Sequence, residues 1–168
     1  AETIANNVRS KILKEHLNDP VFYDRMSTLL REILADLKAK RLAYEDFLKM
    51  MAALVAQVQA GAVDDTPEAL KRSPALRAVY NQLENDIVKE AGFPSGEAAQ
   101  AAYDERLRDK VLNLAISIDA MIRQVRPDNW RGVKAKENVI KAALFPLLNN
   151  DQTAVERLFP IILAQREY

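Results

Sequence analysis

Seven times along this chain apolar residues recur three and four positions apart, and nowhere do they alternate as a half-buried strand requires. That period admits helices and excludes sheets. The sequence therefore predicts an all-α fold, a multi-helix bundle of about seven helices.

The first segment, about 2–17, places Ile4, Val8 and Ile12 on one face and stops at Asn18-Asp19-Pro20. Asp19 is a suitable N-cap and Pro20 a suitable first helical residue for the next segment, about 20–40. That segment carries Phe22, Met26, Leu29, Leu30, Ile33 and Leu37. A turn near Leu42-Ala43 leads to a third helix, about 44–60, with Phe47, Met50, Met51, Leu54 and Val58 inward and Gly61 as its C-terminal cap. Residues 61–73 hold Asp64-Asp65, Thr66-Pro67 and Ser73-Pro74, and predict a linker or hinge with at most one short helical turn. It divides an N-terminal helical part, 1–60, from a C-terminal one, 74–168; one continuous domain is the alternative.

The fourth helix, about 74–91, shows Leu76, Val79, Tyr80, Leu83 and Ile87, and Gly92-Phe93-Pro94-Ser95-Gly96 ends it. The fifth, about 97–125, would be roughly 40 Å long. Its stripe is Tyr103, Leu107, Val111, Leu114, Ile118, Met121 and Val125, widened by Leu112, Ile116 and Ile122. The loop Arg126 to Gly132 breaks it. The sixth, about 134–148, presents Val139, Ile140, Ala143, Leu144 and Leu147. The seventh, about 152–166, opens on a capping-box pattern, Thr153-x-x-Glu156, and buries Val155, Leu158, Phe159, Ile162 and Leu163. Pro146 and Pro160 sit in matching Leu-Phe-Pro contexts and predict two kinked helices or earlier helix ends.

Most chemistry is missing from the residue inventory. The 168 residues hold no cysteine and one histidine, so thiolate chemistry, disulfides and His-rich zinc or iron sites are excluded. Four glycines and no Gly-rich turn before Lys-Ser/Thr leave nothing to wrap a phosphate as a P-loop does. His16 is the only candidate base and reads as an exposed residue at a helix end. The carboxylate pairs Glu45/Asp46, Asp64/Asp65 and Asp104/Glu105 are adjacent in sequence, so on a helix they point about 100° apart. They read as solvated faces and helix starts. Pro127-Asp128 is followed by no Glu-x-Lys or Asp-x-Lys, which argues against a nuclease motif. No apolar run is long enough to span a membrane. The chain begins on Ala1 with helical residues following at once, and reads as a piece of a longer protein.

One stretch departs from a balanced charge pattern. Lysine plus arginine and aspartate plus glutamate each number 24, giving net zero. Between positions 123 and 141, however, Arg123, Arg126, Arg131, Lys134, Lys136 and Lys141 face only Asp128 and Glu137, a local excess of +4. The only tryptophan, Trp130, lies in the same stretch. Three readings stand open: a nucleic-acid backbone contact by the cations, a protein interface anchored on Trp130 and Arg131, or a buried Trp130 lid with solvated basic neighbours. Arg131, partly exposed beside such a lid, is expected to cost the fold little if removed.

Asp128-Asn129-Trp130-Arg131-Gly132, then Glu137, Val139, Lys141-Ala142 and Leu144, resembles a D-x-WRG…E-x-V…KxAL signature. Leu158-Phe159-Pro160-Ile161-Ile162 with Gln165-Arg166-Glu167-Tyr168 is similar to the same family's close. Asn18-Asp19-Pro20, Phe22-Tyr23, Met26-Ser27 and Tyr44-Glu45-Asp46-Phe47-Leu48 resemble its upstream elements. The family is the R (motor and endonuclease) subunit of type I restriction–modification enzymes, at its C-terminal helical region. Val133 departs from the pattern, which more typically has asparagine there.

The resemblance implies a non-catalytic assembly or coupling domain, without a cofactor of its own. ATP and Mg would act in upstream nuclease and motor domains of the same chain. The implied partners are those motor domains, the methyltransferase and specificity subunits, and duplex DNA in the full complex. The implied location is the cytoplasm of a bacterium or archaeon. A DNA-tracking domain of the same subunit and an unrelated helical adaptor are the alternatives.

Overall fold

The computed structural model describes residues 2–63, 66–91 and 97–168; the side chains of 90, 91 and 97–103 fall outside that description. Among the described residues there are eight α-helices and no strand. The all-α multi-helix expectation holds. Asp64-Asp65, the break at 92–96 and the Tyr103 side chain lie outside the described residues. The chain forms two compact units, Ala1–Pro74 and Ala75–Tyr168.

In the first unit, α1 spans Glu2–Glu15 and is followed by a 3-10 turn, His16–Asn18. Helix α2 spans Pro20–Lys38 and α3 spans Tyr44–Ala60. The Asp19 carboxylate accepts from the Phe22 N–H at 3.2 Å, and Pro20 occupies the first turn, so the predicted start of α2 is realised. Gly61 closes α3 in the left-handed region at φ 65°, its N–H donating to the Gln57 carbonyl at 2.8 Å. The core joins Val8 and Ile12 of α1, Phe22, Met26, Leu30 and Ile33 of α2, and Phe47, Met51, Leu54 and Val58 of α3. A single helical turn, α4 (Glu68–Lys71), lies in the predicted linker.

In the second unit, α5 spans Pro74–Ala91, α6 spans Glu97–Val125, α7 spans Lys134–Leu147 and α8 spans Gln152–Ala164. Its core takes Val79 and Leu83 from α5, Ile118 and Ile122 from α6, Ile140 and Leu144 from α7, and Val155, Leu158 and Ile162 from α8.

Several inward assignments need correction. The buried seam of α6 is Val111, Ala115, Ile118 and Ile122, while Ile116 is exposed. Ile4, Met50 and Val139 are exposed as well. A helix with neighbours on one side buries a narrow stripe, so apolar residues at its margins stay in water. On α8 it is Ile161 that is buried and Leu163 that is half-exposed. The capping box at Thr153 is replaced by Asp151, whose carboxylate accepts from the Thr153 and Ala154 N–H groups at 2.8 and 3.2 Å. Glu156 instead pairs with Lys141 and Gln152. Pro146 is the penultimate residue of α7, while Pro160 lies inside α8, which continues to Ala164.

Candidate functional site

The +4 stretch runs from the last turn of α6, through the loop 126–133, into α7. The loop turns sharply because two residues take positive φ: Asn129 at 49° and Gly132 at 76°. Asparagine and glycine are the residue types that tolerate this region. The Gly132 N–H donates to the Glu137 carboxylate at 2.8 Å, which ties the loop to the first turn of α7. Val133 is the N-cap of α7 and offers no side-chain acceptor, so Glu137 supplies a side-chain acceptor for the loop there.

Trp130 is 2% exposed and packs edge-on against Phe159 of α8, with ring centroids 6.1 Å apart. Its indole N–H donates to the main-chain oxygen of Tyr168 at 3.0 Å, so the ring is buried with its one polar group satisfied. Arg131 lies over Trp130, its guanidinium carbon 4.5 Å from the ring centroid. It donates through Nε to the Leu163 carbonyl at 3.0 Å and through Nη2 to the Gln165 carbonyl. Arg126 Nη1 donates to the main-chain oxygens of Glu167 and Tyr168. Arg123 pairs with Asp119 at 3.0 Å and Glu167 at 2.9 Å, and sits over the Tyr168 ring. Glu167 in turn accepts from the Ala75 N–H at 3.0 Å.

The common target of these four residues is the non-helical segment 165–168. Arginines and tryptophan reach its main-chain oxygens because a segment outside a helix has carbonyls with no ladder partner. Within that segment Tyr168 is 2% exposed, and its hydroxyl donates to Asp119 at 2.6 Å. Burial, and then the bond to Asp119, pushes the Tyr168 phenol above its ordinary range. Hydrogen bonds to Asp119 and then Glu167 hold Arg123 more firmly protonated than usual.

The remaining three predicted residues stand apart from this clasp. Lys141 pairs with Glu156 at 3.0 Å and lies 4.7 Å from the Phe159 ring centroid. That pairing holds the Glu156 carboxyl below its usual value. Lys136 donates to the Asp128 carbonyl, and Lys134 is exposed at the start of α7. His16, the only histidine, is paired with Asp24 at 2.7 Å on the surface of the first unit.

Trp130 is therefore the buried lid among the three readings left open for it. Against the expectation that Arg131 matters little to the fold stand its bonds to two main-chain carbonyls and its place over the indole. Sequence reasoning missed Asp119 as a member of the cluster, although its spacing one turn before Arg123 was the available signal. Beside the clasp an open cleft of about 450 Å³ is lined by Arg126, Asp128, Asn129, Arg131 and Tyr168, among others. Among the described residues no three carboxylates or histidines gather as a metal site, and no helix is long and apolar enough to cross a membrane. Comparison with family models, curated proteins and solved structures returns no match to this chain.

Proposed function

We propose that this chain is a non-catalytic helical assembly and coupling domain of a type I restriction enzyme's R subunit. In this reading it helps to dock an ATP-driven translocase and endonuclease onto the methyltransferase–specificity core. ATP and Mg belong to the upstream domains of that subunit.

One observation carries the reading. The two most specific blocks of the resemblance, Trp130-Arg131-Gly132 with Glu137, and Gln165 to Tyr168, are the two halves of the clasp. They lie more than thirty residues apart in sequence yet bond each other directly. Two motifs that fit together in space are more informative than the same motifs found by chance in order. The clasp also explains why those residue types are required: an indole with a donor, an arginine fork and a glycine at positive φ. Trp130 and Arg131 then mark the domain's structural identity, and its docking face lies on other residues.

The test is sedimentation of the purified chain with a methyltransferase–specificity core from a type I system. Co-sedimentation at micromolar concentrations, retained by any variant that keeps the fold intact at the clasp, is the expected result. Failure to associate with the core, alone or as part of the R subunit, would refute the assembly role.

A further inference from the structure

The six cations of the 123–141 stretch are not equivalent. Arg123 is neutralised by Asp119 and Glu167, and Lys141 by Glu156. Arg126, Arg131 and Lys136 bond main-chain oxygens, and Lys134 is exposed in water. Among the described residues none of these four has a side-chain carboxylate partner, so no acidic side chain compensates their charge. Two of them, Arg126 and Arg131, line the cleft of about 450 Å³ beside the loop. The tail engages Nη1 of Arg126 and Nη2 of Arg131, and the Leu163 carbonyl of α8 engages Nε of Arg131. Among the described residues the other guanidinium N–H groups of these two arginines have no partner and remain for a ligand. Asp128 is the one opposing side-chain charge on the cleft wall.

We propose that this cleft binds a phosphate group. Paired guanidinium forks match the oxygens of a phosphate in geometry as well as charge. The tail bonds hold both arginines in place beforehand, which lowers the ordering cost of binding. The aromatic neighbours do not offer a stacking platform, because Trp130 and Tyr168 are each 2% exposed. The cleft therefore reads the phosphate and not a base, and its recognition is indifferent to nucleic-acid sequence. The inference does not depend on the assembly role.

Two sources supply this chemistry: free phosphate and the backbone of duplex DNA. Trp130 is the only tryptophan and sits on the cleft wall, so its emission reports occupancy. The chain is titrated at low ionic strength with inorganic phosphate and, separately, with a short DNA duplex, against a chloride series of matched ionic strength. A saturable change that chloride does not reproduce is expected. Arg126 and Arg131 also hold the tail, so their removal would confuse binding with folding. Asp128→Asn avoids this, since its side chain makes no bond among the described residues and its loss takes away a repulsion. Loss of one unit charge from the wall of a wet cleft corresponds to roughly threefold tighter binding in the variant. A response to phosphate but not to duplex assigns the free anion. A tighter, salt-steep response to duplex assigns the DNA backbone. No saturable response to either, or one that Asp128→Asn leaves unchanged, would overturn the site.

Discussion

At the scale of single residues, Arg131 shows how a surface cation becomes part of a fold. Its guanidinium lies over the indole while bonding one carbonyl at the end of α8 and one in the tail. Arg131→Ala is expected to destabilise the chain by about 1–3 kcal/mol in urea unfolding, combining lost cation–π contact with charge-assisted hydrogen bonds. Arg131→Lys should recover less than half of this, because an ammonium cannot reproduce the fork. An unchanged midpoint in Arg131→Ala would show that the tail is held without it. Tyr168 makes a second prediction, one of pH. Its phenol is pushed up by burial and by Asp119, so the folded state keeps a proton that the unfolded chain releases near pH 10. The stabilisation is complete below that pH and is lost as pH rises toward the folded value. Above about pH 10 the slope from this group is about 1.4 kcal/mol per pH unit. Unfolding measured near neutral pH and near pH 11 should show a larger loss for the native chain than for Tyr168→Phe, and equal losses would contradict the assignment.

The helices were the most legible part of the sequence, because their boundaries are written in local chemistry. Asp19-Pro20 starts α2 and Gly61 ends α3, as the residues predict. The inner margins were less legible: periodicity says which face of α6 is apolar but not how wide a stripe its neighbours cover, so Ile116 was misassigned. Thr153 lost the capping role to Asp151 two residues earlier, since two nearby cap-competent residues compete and spacing does not choose between them. The site was legible as a set of residue types in one stretch. Its purpose was not, because the carbonyls that Arg126 and Arg131 grip lie more than thirty positions away and carry no sequence signal of their own. The N-terminus of α7 offers a direct test at this scale. Val133 caps it without a side-chain acceptor and is exposed, so Val133→Asn can add a capping bond without disturbing the core. A gain of about 1 kcal/mol in unfolding free energy is expected, and a loss would mean that the loop resists the cap.

Over the whole molecule, each compact unit has a core built from its own helices. Phe47 is fully buried in the first, and Phe47→Ala should cost that unit about 3–5 kcal/mol. Trp130 belongs to the second, so its emission should stay native while helical circular dichroism reports partial unfolding. Simultaneous loss of both signals would show that the two cores melt as one. The clasp also sets an order of events. The first unit's core joins α1, α2 and α3, all within the first sixty residues, and can form as soon as α3 is complete. Bonds between the loop and the tail span 34 to 42 positions, and the one from Ala75 to Glu167 spans 92. Closing such long loops is entropically slow, and none of these bonds can form before Gln165 to Tyr168 has been synthesised. During translation the first unit is therefore free to fold while the second waits, its tryptophan still wet, until Gln165 to Tyr168 has left the ribosome.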